Sequence, residues 1–177
     1  NMPKLYLALY KGRKAIRHPR DLWLRLSDGL VRLLTRSPYS HCEIALLDEM
    51  HQYPPHIVQA DGSPAPTMYI CYSSSARDGG VRKKVMPLPA DKWDLIELQN
   101  GDAAYVAAYF EQTQGRRYDW GGLIGVPFGR WELAIAFNNV DKWFCSEWCA
   151  AVLGCAESWR LSPGALAKLH TPAGAPK

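Results

Sequence analysis

Residues 40–47 read Ser-His-Cys-Glu-Ile-Ala-Leu-Leu, and the alternation in this stretch decides the fold. Side chains of a strand point to opposite faces in turn. Cys42, Ile44 and Leu46 therefore share one apolar face, and His41, Glu43, Ala45 and Leu47 share the other. A face that opens with a histidine and a glutamate is not a simple core face. The sequence thus predicts a strand with one side for packing and one side carrying polar groups.

Working outward, Lys4–Tyr10 alternates loosely and predicts a first strand, followed by a basic turn region over Lys11–Pro19. Asp21–Thr35 predicts a helix, with Leu22, Leu26, Leu30, Leu33 and Leu34 at helical spacing. Ser37-Pro38 ends it, because the residue before proline avoids helical geometry. Beyond the strand, Pro54-Pro55 marks a polar connection, and His56–Ala60 is expected to be the return strand of a long hairpin. Residues 61–80 look loop-rich, with a short apolar piece at Met68–Tyr72. Val81–Met86 and Trp93–Leu98 are further strand candidates. Asp102–Gln114 predicts a helix stopped by Gly115. Tyr118–Phe128 is glycine-rich and irregular. Asp141 is placed to cap a helix carrying Cys145, Cys149 and Val152 and ending at Gly154, and Ser162-Pro163 opens a last short helix. No repeat or linker divides the chain. The expectation is one α+β domain over residues 1–177, an antiparallel sheet with helices packed around it.

Composition narrows the classes. The chain has 177 residues, enough for one domain with a proper core. No run of about 18 apolar residues predicts an integral membrane segment. The N-terminal NMPKLYLALYKG lacks the basic-then-apolar pattern of a signal peptide, which predicts a cytoplasmic protein. Residues 1–36 hold nine Lys or Arg against Asp21 and Asp28, a net charge of +7, and the rest of the chain carries −3. Such a face suits an anionic polymer or plain solvation. Aromatic and basic residues do not interleave as single-strand binders require, so nucleic acid is not an expected partner. The five cysteines are odd in number and irregular in spacing, which predicts reduced thiols.

Cys145 is the candidate nucleophile. It lies in DKWFCSEWCAAVLG, just inside the start of the expected helix. Unpaired N–H groups and the positive end of the helix dipole favour thiolate there, and the same N–H groups can receive an oxyanion. The alternative is a buried structural cysteine. His41 supplies a base that titrates near neutrality. A third polar group normally orients such a base, and two are available: Glu43 on the same strand face, or Gln59 on the expected return strand. Spacing does not choose between them. No CxxC occurs and no second pair matches Cys145 and Cys149, so neither a metal site nor a cofactor is expected. The loop Tyr72–Arg82 (YSSSARDGGVR) gathers hydroxyls, a guanidinium and a Gly-Gly. Arg77, with Ser75 nearby, could hold a substrate carboxylate or phosphate, or simply form a surface pair with Asp78.

Several of these segments together resemble one superfamily. Tyr118-Asp119-Trp120-Gly121-Gly122 and Phe144-Cys145-Ser146-Glu147 resemble the two signatures of NlpC-type cell-wall cysteine peptidases, and Ser40-His41 with its apolar strand resembles that family's histidine strand. Here the histidine precedes the cysteine, which resembles the circularly permuted papain-like branch and its bacteriophage and prophage members. The resemblance spans roughly residues 4–170. It implies a permuted papain-like fold and a Cys145–His41 dyad oriented by the next strand, where Gln59 would stand. It implies Tyr118 and Trp120 near the substrate, and a peptide of peptidoglycan as that substrate. Glu147 replaces the ordinary glycine of the signature, and a long insertion separates Gly122 from Cys145. Permuted relatives include acyltransferases, so an acyl thioester or lipid amide is the rival substrate class. A non-catalytic phage assembly or binding protein is the rival from outside the enzymes.

Overall fold

The computed structural model describes residues 3–13, 18–119 and 142–172. Its elements in chain order are β1 (Leu5–Tyr10), α1 (Pro19–Thr35), β2 (His41–Leu47), β3 (Met68–Ser75), β4 (Gly80–Pro87), β5 (Trp93–Glu97), α2 (Ala103–Thr113), β6 (Arg117–Tyr118), β7 (Lys142–Trp143), α3 (Cys145–Val152) and α4 (Pro163–His170). The strands form one sheet in the order β5-β1-β2-β3-β4-β6-β7. Neighbours run antiparallel from β5 to β6, and β7 lies parallel to β6. The architecture is α+β, with an open antiparallel sheet and helices against it.

The alternation of β1 and β2 sorts the two faces. Leu5, Leu7 and Leu9 of β1 and Cys42 and Ile44 of β2 point into the main core. Val106 and Phe110 of α2, Trp148 and Cys149 of α3 and Leu166 of α4 close over them. Trp148 is fully buried, and its indole N–H donates to Thr113 Oγ1 at 2.9 Å, which satisfies its one polar atom. The opposite face carries a smaller apolar cluster around Ala8, Ala45, Cys71 and Leu88.

The hairpin partner of β2 differs from the sequence expectation. His56–Ala60 is not a strand; within it only Val58 makes a bridge, to Pro64. The return strand is β3, which pairs Ile44 with Tyr72 and Leu47 with Tyr69. Proline explains the difference: Pro54, Pro55, Pro64 and Pro66 each lack an N–H, so this stretch cannot donate a continuous ladder. The Met68–Tyr72 piece carries β-branched and aromatic residues and no proline. Two glycines then let β4 leave the turn. Gly79 has φ +87, and a Cβ on Gly80 would sit 1.9 Å from the Arg116 carbonyl oxygen.

The helices match their sequence signals with small shifts. α1 begins two residues before the expected Asp21, with Pro19 in its first turn and the His18 N–H donating to Asp21 Oδ2 at 3.1 Å. Asp102 caps α2 by accepting from the Ala104 and Tyr105 N–H groups, and Ser162 caps α4 by accepting from Ala165. α3 is capped at Phe144, not at Asp141, because the chain runs as β7 up to Trp143 and turns helical only at Cys145. Asp141 and Trp120 lie outside the described residues, as does most of the Gly122–Cys145 insertion. Among the described residues no helix is long and apolar enough to cross a membrane.

Candidate functional site

Sheet register builds the site row by row. Tyr10 pairs with both Trp93 and His41, so these three residues stand side by side at one end of the sheet. The Tyr10 and Trp93 rings meet edge to face at 5.0 Å, and the His41 ring lies 6.3 Å from Trp93. One row along, Ala8 pairs with Glu43, and Ser73 pairs with Arg82. Ala8 and Ser73 are small. They leave room on this face for Arg82 to reach across β3 to Glu43.

Glu43 is 1% exposed, and a buried carboxylate must be paired. Arg82 meets it with two guanidinium nitrogens, Nη2 on Oε1 at 2.6 Å and Nη1 on Oε2 at 2.7 Å. His41 Nε2 donates to Glu43 Oε1 at 3.1 Å. Burial pushes the Glu43 carboxyl upward, but Arg82 and His41 outweigh it and hold the group at about 2. Arg82 is held in turn by Asp78, which accepts from Nε at 3.0 Å and also binds Lys84 at 2.5 Å.

Glu43 occupies Nε2 and leaves Nδ1 as the nitrogen of His41 that can meet Cys145. The two side chains are close enough for each one's charge to shift the other's proton affinity. Burial lowers the affinity of the imidazole for a proton; the Cys145 and Glu43 charges reverse this and raise His41 from 6.5 to about 9. The Cys145 thiol is pulled well below its ordinary value. The neighbouring Cys42 side chain, in the same buried cluster, is the largest cause; burial opposes it and His41 reinforces it. Cys42 is itself pushed up by burial, which favours its neutral thiol. Both shifts run in the direction that favours a thiolate–imidazolium pair, with an anionic carboxylate behind the imidazolium.

α3 brings the sulfur to this point. Its first residue is Cys145, and the helix packs on β2 and β3, the strands that carry His41 and Ser75. Its N-cap is secured by Glu147, which accepts from the Phe144 N–H at 3.4 Å. Glu147 is buried, and burial with the nearby Asp119 raises its carboxyl to about 7. Cys145 is 2% exposed. The imidazole it meets lines a cleft of about 190 Å³, the size of one residue or headgroup rather than a whole cofactor.

The remaining sequence candidates divide. Ser75, Arg77 and Tyr118 all line the cleft with His41. Arg77 pairs at 3.8 Å with Asp21 of α1, while Asp78 is taken by Arg82 and Lys84. Gln59 does not serve the ring. It is exposed, and its amide donates to Ser63 Oγ and the Pro64 carbonyl within its own turn. The orienting group beside His41 is Glu43, because the next strand is β3 and not residues 56–60. Sequence reasoning missed Arg82 and Cys42. Cys42 was visible only as a core-facing neighbour of His41, and Arg82 becomes a partner of Glu43 through a register that no local pattern encodes. Among the described residues no three His, Cys, Asp or Glu groups converge on a metal-binding geometry.

Compared with protein-family models, with characterised proteins and with solved structures, the chain matches none of them.

Proposed function

We propose that the protein is a cysteine hydrolase that cleaves an amide through an acyl-enzyme on Cys145. The carrying observation is that Cys145 opens α3 where this helix packs on β2, the strand of His41, and the charges of the two groups lower the thiol and raise the imidazole to about 9. In this reading the Cys145 thiolate attacks the carbonyl carbon, and the first-turn N–H groups of α3 receive the oxyanion. His41 gives its proton to the leaving nitrogen as the C–N bond breaks. A water then attacks the thioester; His41 takes its proton, and Cys145 leaves as thiolate. Glu43, braced by Arg82, keeps the ring turned toward the sulfur and stabilises its charged form.

The permuted papain-like class is the parent fold in this proposal. Its support is a cysteine helix packed on the strand that carries the histidine, with the histidine first in the chain. The substrate reading that follows from the resemblance is a peptide bond of bacterial peptidoglycan, with Ser75, Arg77 and Tyr118 on the binding wall.

The test has two parts. Ultraviolet thiolate absorbance is titrated in wild type and in Cys145→Ala; the difference should show a thiolate persisting well below the ordinary 9.0. Peptidoglycan stem peptides are then incubated with both proteins, and amide cleavage should be lost in Cys145→Ala. A difference titration centred at or above that of a free thiol would overturn the dyad. Equal cleavage by both proteins would overturn the nucleophile.

A further inference from the structure

α1 is amphipathic in an unusual direction. The leucines that define its periodic stripe face outward: Leu22, Leu26, Leu30 and Leu33 are 48%, 58%, 51% and 75% exposed. At about 100° per residue they fall within an arc of roughly 80°, a continuous ridge along a helix about 25 Å long. Arg25 and the C-cap Arg36, both exposed, border this ridge on one side. The two carboxylates of the helix point the other way. Asp21 pairs with Arg77 and binds the His18 N–H, and Asp28 lines the cleft. Among the described side chains of α1, none on the exposed face is acidic.

We infer that this face of α1 docks on an anionic lipid bilayer. An apolar ridge edged by arginines, with the acids turned inward, is the pattern of a helix that lies in a membrane interface. The charge argues for lipid over a second copy of the chain. Arg25 and Arg36 edge this ridge and no acid stands among its described side chains, so two copies meeting here would bring like charges together, whereas anionic headgroups would be attracted. No span is implied; the helix would lie parallel to the surface. Its inner side supplies Ser27, Asp28 and Val31 to the cleft that holds His41. Docking would therefore set the cleft about one helix diameter, roughly 10 Å, from the bilayer. This surface goes beyond the hydrolase reading and does not depend on it.

The experiment is co-sedimentation of the full chain with phosphatidylcholine vesicles, with and without one quarter phosphatidylglycerol, over a salt series. Wild type should bind the anionic vesicles, bind neutral ones weakly, and be released by high salt. Leu26→Glu/Leu30→Glu should lower the partition coefficient more than about tenfold on apolar burial alone. Arg25→Gln/Arg36→Gln should lower it on anionic vesicles only, by roughly fivefold per arginine at most. Cys145→Ala should bind like wild type, which separates this result from the fate of the catalytic proposal. Wild type left in the supernatant with anionic vesicles would overturn the inference, as would a leucine variant that binds equally. So would a large fall in melting temperature for the leucine variant, since the ridge would then be packed within the chain. A wild-type dimer in light scattering that the leucine variant dissolves, without vesicle binding, would assign the face to a second copy instead.

Discussion

Replacing Glu43 by Gln tests the electrostatic core of the site most directly. The variant keeps shape and volume but removes the charge that Arg82 grips at 2.6 and 2.7 Å and that His41 meets at 3.1 Å. The wild-type carboxyl is held at about 2 against an ordinary 4.5, a preference of about 3 kcal/mol for the charged form at ~1.36 kcal/mol per unit. Breaking a buried pair by removing one partner costs about 3–5 kcal/mol. Arg82 keeps Asp78, which argues for the lower end. The expected loss is therefore about 3 kcal/mol at pH 7, or a melting temperature lower by roughly 6–12 °C for a domain of this size. The pH dependence follows from the sign of the shift. A depressed carboxyl contributes fully above 4.5 and loses its contribution as pH falls toward 2. The gap between wild type and variant should thus be wide at pH 7 and narrow toward pH 3. Thermal unfolding followed by circular dichroism at both pH values measures it, with exposed Glu49→Gln as the control expected to change nothing. A variant melting within about 2 °C of wild type at pH 7 would refute the claim that Arg82 and His41 stabilise this charge.

Three further outcomes follow from the same geometry. Cys42→Ala removes the side chain that most favours the Cys145 thiolate, so the Cys145 thiolate titration should move to higher pH. The thiolate fraction on its acid limb should fall roughly two- to tenfold, the range of a hydrogen bond worth about 0.5–1.5 kcal/mol; an unmoved titration would remove Cys42 from the site. Glu147→Gln keeps the acceptor for the Phe144 N–H but cannot ionise. The wild-type carboxyl is raised to about 7, so its buried charge penalises folding as pH rises through 7. The variant should therefore melt higher than wild type at pH 8 and about equally at pH 4.5, and the reverse order would contradict the burial argument. On any substrate turned over by wild type, Arg77→Lys and Arg77→Ala should raise KM severalfold with kcat largely preserved, while Arg160→Ala, in a turn away from the cleft, should not; identical kinetics for all three would leave Arg77 as a surface partner of Asp21.

Much of the site was legible before any coordinates, because its signals are local. Alternation in SHCEIALL placed His41 and Glu43 on one face and Cys42 on the other, and strand geometry alone requires that. A helix carrying Cys145 in its first turn follows from helical patterning beyond it, but the expected cap was Asp141 and the cap is Phe144. Leu22–Leu34 announced a helix through its period, but period is symmetric: it states that leucines share a face, not whether that face meets the core or the outside. Only packing decided that Val31 goes inward and Leu26, Leu30 and Leu33 go outward.

The pairing of distant segments was not legible, and the physical reason is register. Whether His56–Ala60 or Met68–Ser75 returns beside β2 depends on which segment can supply an unbroken ladder of N–H donors. The proline-rich stretch lost that competition. That single choice left Glu43, of the two candidates, beside His41 and set Arg82 opposite it, two strands away. Sequence by itself determined which residue types face which side of β2 and which segments form helices, to within a few residues at their ends. The tertiary structure decided which of those faces meet, and so which carboxylate holds the histidine, which thiol supports Cys145, and which leucines remain uncovered.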